Sequence, residues 1–271
     1  LRLALDEQPL SPQLRLALDD VPTEIPPPTL ATEGPKPTAN EQKTMASVER
    51  VPEAMMHGIV GVNRSWDAPH LVTYCDKDAR PGYTSMKAHE YEDSPSTLQA
   101  KVAVLASLIR HAKHCSAYTG AGISTASGID DYASKAKQSI ATGSRAQHRK
   151  NKPISRGDSA PTYSHFVLVA MYRAGLLSHW VQQNHDGLPQ KAGFPQTELN
   201  EIHGSWFDPS NPVVPMSGSL RDDLLERLEL EQHATDLCLT MGTSLCGMNA
   251  DSMVEVPAKK AFARRRQAGL G

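Results

Sequence analysis

Paired cysteines, aromatic side chains, net charge and long apolar runs are all scarce in this chain. Its four cysteines, Cys75, Cys115, Cys238 and Cys246, are scattered, with no C-x-x-C pair. Such spacing argues against a disulfide framework and against a four-thiolate zinc site, so no metal is assigned and reduced, intracellular thiols are expected. No stretch reaches the roughly 18 apolar residues of a membrane span. The 28 basic residues face 30 acidic ones, a formal charge of −2, which argues against bulk attraction to nucleic acid. The chain starts at Leu1 without a basic-then-apolar leader. A fragment lacking a secretory signal, in the cytoplasm or nucleus, is the expectation.

What is present divides unevenly. A length of 271 residues allows one large domain, or one domain with an extension. Residues 1–50 hold eight of the 20 prolines and no aromatic residue. Ordering such a segment costs about 1–2 kcal/mol per residue that it has little apolar surface to offset, so a disordered extension is expected. Within it Leu1-Arg-Leu-Ala-Leu-Asp6 recurs as Leu14-Arg-Leu-Ala-Leu-Asp19, read as a low-complexity duplication. Residues 51–93, with Trp66, Tyr74, Tyr83 and Tyr91, show little periodicity and are expected as irregular cover over the core.

From residue 94 the pattern alternates. Ser94 or Ser96 can start a helix with Pro95 in its first turn, and Leu98, Val102, Leu105 and Leu108 or Ile109 form its predicted core-facing stripe. A strand over 115–119 ends at Gly120-Ala-Gly122. A helix over 162–174, stopped by Gly175, leads to a strand over 176–181 that ends at Gln182, Gln183 and Asn184. A helix over about 219–229 precedes a strand over 236–241, closed by Gly242-Thr-Ser244. This alternation predicts an α/β fold, a doubly wound Rossmann-like parallel sheet whose ligands sit at the carboxyl ends of its strands. The basic run Lys259, Lys260 and Arg264 to Arg266 is read as a solvated helix face.

Gly120-Ala-Gly-Ile-Ser124 follows a strand and opens a helix start, where small residues and free N–H groups suit a phosphate. The match to G-x-G-x-x-G is incomplete, because Thr125 stands at the last glycine. Read alone, the turn is a dinucleotide site or a plain tight turn.

The longer run Thr119-Gly-Ala-Gly-Ile-Ser-Thr-Ala-Ser-Gly-Ile-Asp-Asp-Tyr132 is more specific. With Gln183-Asn-His-Asp-Gly187, Glu201-Ile-His-Gly204 and Met241-Gly-Thr-Ser-Leu245, in that order, it resembles the sirtuin family of NAD-dependent protein deacylases. The resemblance covers about 94–251 and extends to Pro161-Thr-Tyr-Ser-His165 and Ala192-Gly-Phe-Pro195. It implies an enzyme of the acyltransferase class with NAD as cofactor and an acylated lysine of a protein or peptide as partner. Such an enzyme divides NAD into nicotinamide and O-acyl-ADP-ribose.

Carried over by position, the resemblance implies a phosphate-binding turn at Gly120, Ala121, Gly122 and Ser124, with Asp131 and Tyr132 in the loop over the cofactor. It places Gln183 and Asn184 beside the nicotinamide ribose and Asp186 at the nicotinamide carboxamide. It makes His203 the general base, with Asn184 as its catalytic companion. Gly242, Thr243 and Ser244 would meet phosphate and adenosine ribose. Val213, Val214, Pro215 and Met216 would pair with the substrate peptide by strand addition. The chemistry is consistent: a histidine with an ordinary pKa of about 6.5 can take a hydroxyl proton at neutral pH. His165, His179 and His185 are left as structural.

Three departures from the family pattern stand out. Asp130 and Ala133 replace a proline and an arginine in the loop after Gly128, removing a fork of donors. Lys135 is a nearby partial substitute. Only 38 residues separate His203 from Gly242, with no cysteine before Cys238, so the family's zinc ribbon is missing. The expected organisation is an extension (1–50), cover (51–93) and a core (94–271) with a reduced small domain at about 130–160 and a connector at 205–218. The core is expected to stop where a further strand would follow. Two alternatives remain beside the deacylase: a weakly active or inactive NAD-binding interaction module, and a mono-ADP-ribosyltransferase.

Overall fold

The computed structural model describes residues 57–62, 64–73, 89–129, 157–215, 217–245 and 249–269. The expected extension at 1–50, both copies of its repeat, Cys75, Cys246 and most of the small domain at 130–160 lie outside the described residues.

Among the described residues, the first elements are β1 (His70–Thr73) and β2 (Glu90–Glu92), an antiparallel pair with a register shift between Leu71 and Thr73. The irregular cover expected at 51–93 therefore contains a small sheet. Its link to the first long helix is polar: Ser94 and Ser96 donate their hydroxyls to Asp67 at 2.9 and 3.2 Å, and Lys101 holds Asp93 at 2.7 Å.

Helix α1 (Pro95–His111) starts as the sequence indicates. The Ser94 hydroxyl accepts from the Thr97 N–H at 3.3 Å, with Pro95 in the first turn. The stripe, however, is rotated by about one position. Thr97, Ala106 and Ile109 are buried, whereas Leu98 and Leu108 are 51% and 45% exposed. A spacing of three and four fixes the period of a helix face but not which neighbouring row meets the sheet.

The central sheet is built from β3 (Cys115–Thr119), β4 (His179–Gln182), β5 (Leu199–Glu201) and β6 (Leu237–Met241), all parallel, in the order β5-β4-β3-β6. Helices α2 (Tyr163–Arg173), α3 (Leu188–Lys191), α4 (Asp222–Ala234) and α5 (Ser252–Gln267) follow in turn between or after these strands. Alternation along each strand assigns the faces. Cys115, Ala117, Trp180 and Leu199 pack with Ile109, Leu168, Val169 and Phe194 on the α1/α2 side. Tyr118, Val181 and Ile202 pack with Leu224, Leu228 and Met253 on the α4/α5 side. Helices on both faces make the sheet doubly wound, the expected α/β Rossmann-like class.

Element bounds shift in physically readable ways. The strand expected over 176–181 is His179–Gln182, because Gly175 at φ +70° and the bonds from Leu176 and Leu177 to the Met171 carbonyl spend those residues on closing α2. The helix expected over 219–229 runs from Asp222 to Ala234, where the Thr235 N–H still reaches the Glu231 carbonyl. After β3 the chain forms a 3-10 helix, Ala121–Ser127. No helix among the described residues is long and apolar enough to cross a membrane. Lys259, Lys260 and Arg264 to Arg266 lie in α5, all but Lys260 fully exposed.

Candidate functional site at the strand ends

Strand order reverses between β3 and β6, since β4 and β5 extend the sheet on one side of β3 and β6 returns to the other. Such a reversal opens a crevice outside the carboxyl ends of the strands. The turns that close β3 and β6 meet there. The Gly120 N–H donates to the Met241 carbonyl at 3.0 Å and the Gly122 N–H to the Gly242 carbonyl at 2.7 Å. A Cβ on Gly122 would sit 2.7 Å from the Gly242 Cα, and one on Gly242 would collide with the Ile123 nitrogen. Gly242 also holds φ +65°, in the left-handed region. Glycine is required at this crossing by space and by backbone angle together.

A polar network fills the β3/β4 side. The Asn184 amide donates to the Gly120 carbonyl and to the Ser124 hydroxyl, both at 3.0 Å. The Ser124 hydroxyl donates to Asp186 at 2.6 Å. Asp186, 1% exposed, also accepts from the Leu188 N–H at 3.0 Å and lies 3.5 Å from the Gln182 amide. On the β6 side the Gln183 amide donates to the Thr243 hydroxyl at 2.9 Å, and Gly242 and Ser244 are exposed.

His203 lies just after β5. Burial pushes its pKa below the ordinary value, and a hydrogen bond to the Gln183 backbone opposes that shift. Its Nε2 is buried and has no hydrogen-bond partner among the described residues. A neutral imidazole placed in this way can use Nε2 as an acceptor. The His203 carbonyl accepts from the Val214 N–H at 2.9 Å, which sets the strand-like segment 212–215 beside it. A Cβ on Gly204 (φ +86°) would collide with the Pro212 carbonyl. Val213 and Pro215 are exposed and Val214 is half-buried.

The structure thus gathers Gly120, Ala121, Gly122, Ser124, Gln183, Asn184, Asp186, Gly242, Thr243 and Ser244 around one crevice, with His203 and the segment 213–215 adjoining through Gln183 and Val214. Asp131, Tyr132 and Met216 lie outside the described residues, as do Asp130, Ala133 and Lys135.

Four further polar residues, His165, Gln182, Tyr118 and Asp251, lie near this network without having been singled out for a functional role in the sequence. His165, left as structural, is fully buried at the start of α2. It accepts the Thr162 N–H at 3.1 Å on Nδ1, while its Nε2 has no partner among the described residues. Burial lowers its pKa to about 4, against the opposing charge of Asp186. Gln182 is fully buried with an unpartnered carbonyl oxygen. Tyr118 donates its hydroxyl to Asp251 at 2.8 Å, and Asp251 in turn acts electrostatically on His203. The signal for that pair was a tyrosine in an otherwise fully buried strand, whose hydroxyl must find a partner.

No protein-family model matches the chain. Over 165 residues it is 35% identical to the human NAD-dependent protein deacetylase sirtuin-7, an alignment covering 59% of this chain and 40% of that protein. Over the matched residues the chain is similar to sirtuins. Over 146 residues it is 35% identical to the NAD-dependent protein deacetylase SRT1 of Arabidopsis thaliana, covering 53% of this chain and 30% of that one. The chain spans less than half the length of the curated relatives it matches. A solved structure of Sir2Tm bound to a propionylated peptide is similar over 59% of this chain and 82% of its own, with a TM-score of 0.47 and 21% identity. Two cysteines lie among the described residues of the core, and burial disfavours the thiolate of each. Cys115 and Cys238 are free thiols, and burial pushes them up to about 12 and about 11.

Proposed function

We propose that the chain carries the core of an NAD-dependent protein-lysine deacylase, a deacetylase acting on an acylated lysine of a protein or peptide and yielding nicotinamide and O-acyl-ADP-ribose. One observation carries this reading. His203, with a buried and unpartnered Nε2, is joined through Gln183 to a crevice holding Asn184 and Asp186.

The residues present fit a dinucleotide. Small residues line the crossing of the two turns, where a Cβ would strike the backbone of the facing turn and push the two strand ends apart. Unpartnered buried polar atoms on His165, Gln182 and His203 await a polar ligand. Gly120, Ala121, Gly122, Ser124, Gly242, Thr243 and Ser244 would hold the phosphates and the adenosine ribose. Asp131 and Tyr132 belong to the same reading as the covering loop. When bound, NAD supplies an electrophilic ribose carbon and nicotinamide as the leaving group.

The chain's own residues do the rest. Asn184 is fixed by its bonds to Gly120 and Ser124, so it can orient a ribose hydroxyl without adding charge. Asp186, anchored by Ser124 and Leu188, can accept from a carboxamide. His203 takes a hydroxyl proton on Nε2, and its lowered pKa keeps that nitrogen free at neutral pH. Val213, Val214, Pro215 and Met216 offer an edge for pairing an extended peptide. The same reading keeps 1–50 as extension, 51–93 as cover and 94–271 as the catalytic core, within the cytoplasm or nucleus.

The test is mass spectrometry of NAD products with a panel of acylated peptides. Release of nicotinamide that depends on the acyl-lysine, and falls at least about 100-fold in His203→Ala, is expected. Acyl-independent release, or none, sinks the reading. A second reading, an NAD-binding module with little turnover, is favoured by Ala133, which replaces the family's arginine in the covering loop and removes a fork of donors. Calorimetric NAD binding without nicotinamide release would select it.

A further inference from the structure

A separate cleft of about 300 Å³ is walled by the edge strand β5, the connector at 208–211 and the start of α4. We propose that this cleft is a subsite for a lysine or arginine side chain of the protein substrate, flanking the acylated lysine; the proposal rests on the deacylase reading.

Glu201 lines the cleft and is 1% exposed. Its Oε2 accepts from the Gln196 amide at 3.0 Å, but its Oε1 is buried without a partner among the described residues. A buried carboxylate oxygen left without a donor is costly, so the missing group is a donor, and a cation suits it best. The cleft's own cations are committed elsewhere. Arg221 binds Asp223 through two bonds of 2.6 and 2.8 Å and donates to the Ser210 carbonyl. Arg227 binds Glu231 at 2.7 Å and donates to the Thr197 and Glu198 carbonyls. The lining holds three carboxylates, Glu201, Asp208 and Asp223, against the guanidiniums of Arg221 and Arg227, and of the three only Glu201 has an oxygen that is buried without a donor among the described residues. Asp208 is half-buried, and hydrogen bonds from Ser210, helped by the charge of Arg221, hold it below the usual carboxylate range.

Among the described residues no three histidine, cysteine, aspartate or glutamate side chains are placed to hold a metal ion, which leaves an organic cation. Position then assigns its source. Glu201 precedes His203 by two residues. The connector that bounds the cleft also carries the peptide-pairing segment: the Asn211 amide donates to the Glu201 carbonyl at 3.0 Å, the Ser205 N–H to the Asn211 carbonyl at 2.8 Å, and the Val214 N–H to the His203 carbonyl at 2.9 Å. An extended peptide advances about 3.3 Å per residue, so one peptide paired with the segment at 213–215 can also present a long basic side chain to the cleft that the same connector bounds.

Two titrations of the full chain test this. In the first, N-acetyl-arginine N-methylamide, which has no acyl-lysine, is followed by NMR. Saturable shifts at the cleft are expected, weakened about tenfold in Glu201→Gln and less in Asp208→Asn. Equal binding by wild type and Glu201→Gln, or no binding, overturns the subsite. In the second, acetyl-lysine peptides carry arginine at each position from four before to four after the acyl-lysine. One register is expected to bind about tenfold tighter than its alanine counterpart, and Glu201→Gln is expected to abolish that preference. Acyl-peptide binding without arginine preference removes the cleft's role while sparing the deacylase. Arginine binding without acyl-peptide binding removes the deacylase reading and, with it, the assignment of the cation to the substrate. Urea unfolding of both variants verifies that each remains folded.

Discussion

The two strand ends that meet at the crevice are held by opposite means. At the end of β3, a fully buried strand, side chains do the holding: Asn184, Ser124 and Asp186 form a continuous set of hydrogen bonds around the turn. At the end of β6, whose residues are half-buried with Thr240 exposed, backbone meets backbone through two bonds that only glycines allow, and bonds to the Thr243 hydroxyl from the Gln183 amide and the Leu245 N–H are added. The first end is sensitive to atoms removed and the second to atoms added.

Gly242→Ala should therefore be the most damaging single change at the crevice. The new Cβ meets the Ile123 nitrogen and the left-handed backbone is strained as well, so a loss of about 3 kcal/mol or more is expected in urea unfolding. Asp186→Ala comes next. It strands the Ser124 hydroxyl and the Leu188 N–H in a buried setting, and about 2–3 kcal/mol is expected by the same measurement. If Asp186→Ala proves harmless, the β3 end is not held by its network. Thr243→Val removes two partly buried bonds at the β6 end, from the Gln183 amide and the Leu245 N–H, and should cost about 1–2 kcal/mol.

Acid supplies an independent way to probe the β3 side. His165 has a pKa of about 4 in the fold against about 6.5 when unfolded, so the unfolded chain binds the extra proton. Stability from this group is complete above pH 6.5 and is lost as pH falls toward 4. The drop should be on the order of 3 kcal/mol, since a tenfold difference in proton affinity between the two states corresponds to about 1.4 kcal/mol. Urea midpoints measured across that window should fall in the wild type and flatten in His165→Gln. An unchanged slope in the variant would remove His165 as the source.

The strand-end site was legible because its chemistry is written in short contiguous windows. Gly120 to Ser124, Gln183 to Asp186 and Gly242 to Ser244 each close a strand whose apolar run is plain in the sequence, and the parallel sheet then has to bring them together. Contributions made across the chain were hidden. Leu199, Asn200 and Glu201 show no apolar run, yet they pair with β4 because its other edge is open to them. Asp251 lies 133 positions from the Tyr118 hydroxyl that it accepts. The rotation of the α1 stripe depended on which row faces the sheet, a tertiary choice that the period of Leu98, Val102 and Leu105 leaves open.

The bond between Ser205 and Asn211 has a consequence for how this chain can change. It brings two backbone positions six residues apart to within 2.8 Å of each other, so residues 206–210 form a loop whose ends are already closed. Replacing such a loop with a longer segment costs only about 0.6 kcal/mol of closure entropy for each doubling of its length. The crevice is anchored outside that loop's interior, by Val214 on His203 and by Asn211 on Glu201, whereas the cleft draws Asp208 and the Ser210 carbonyl from it. The junction is a port at which a whole module can be lost or inserted while the crevice keeps its geometry.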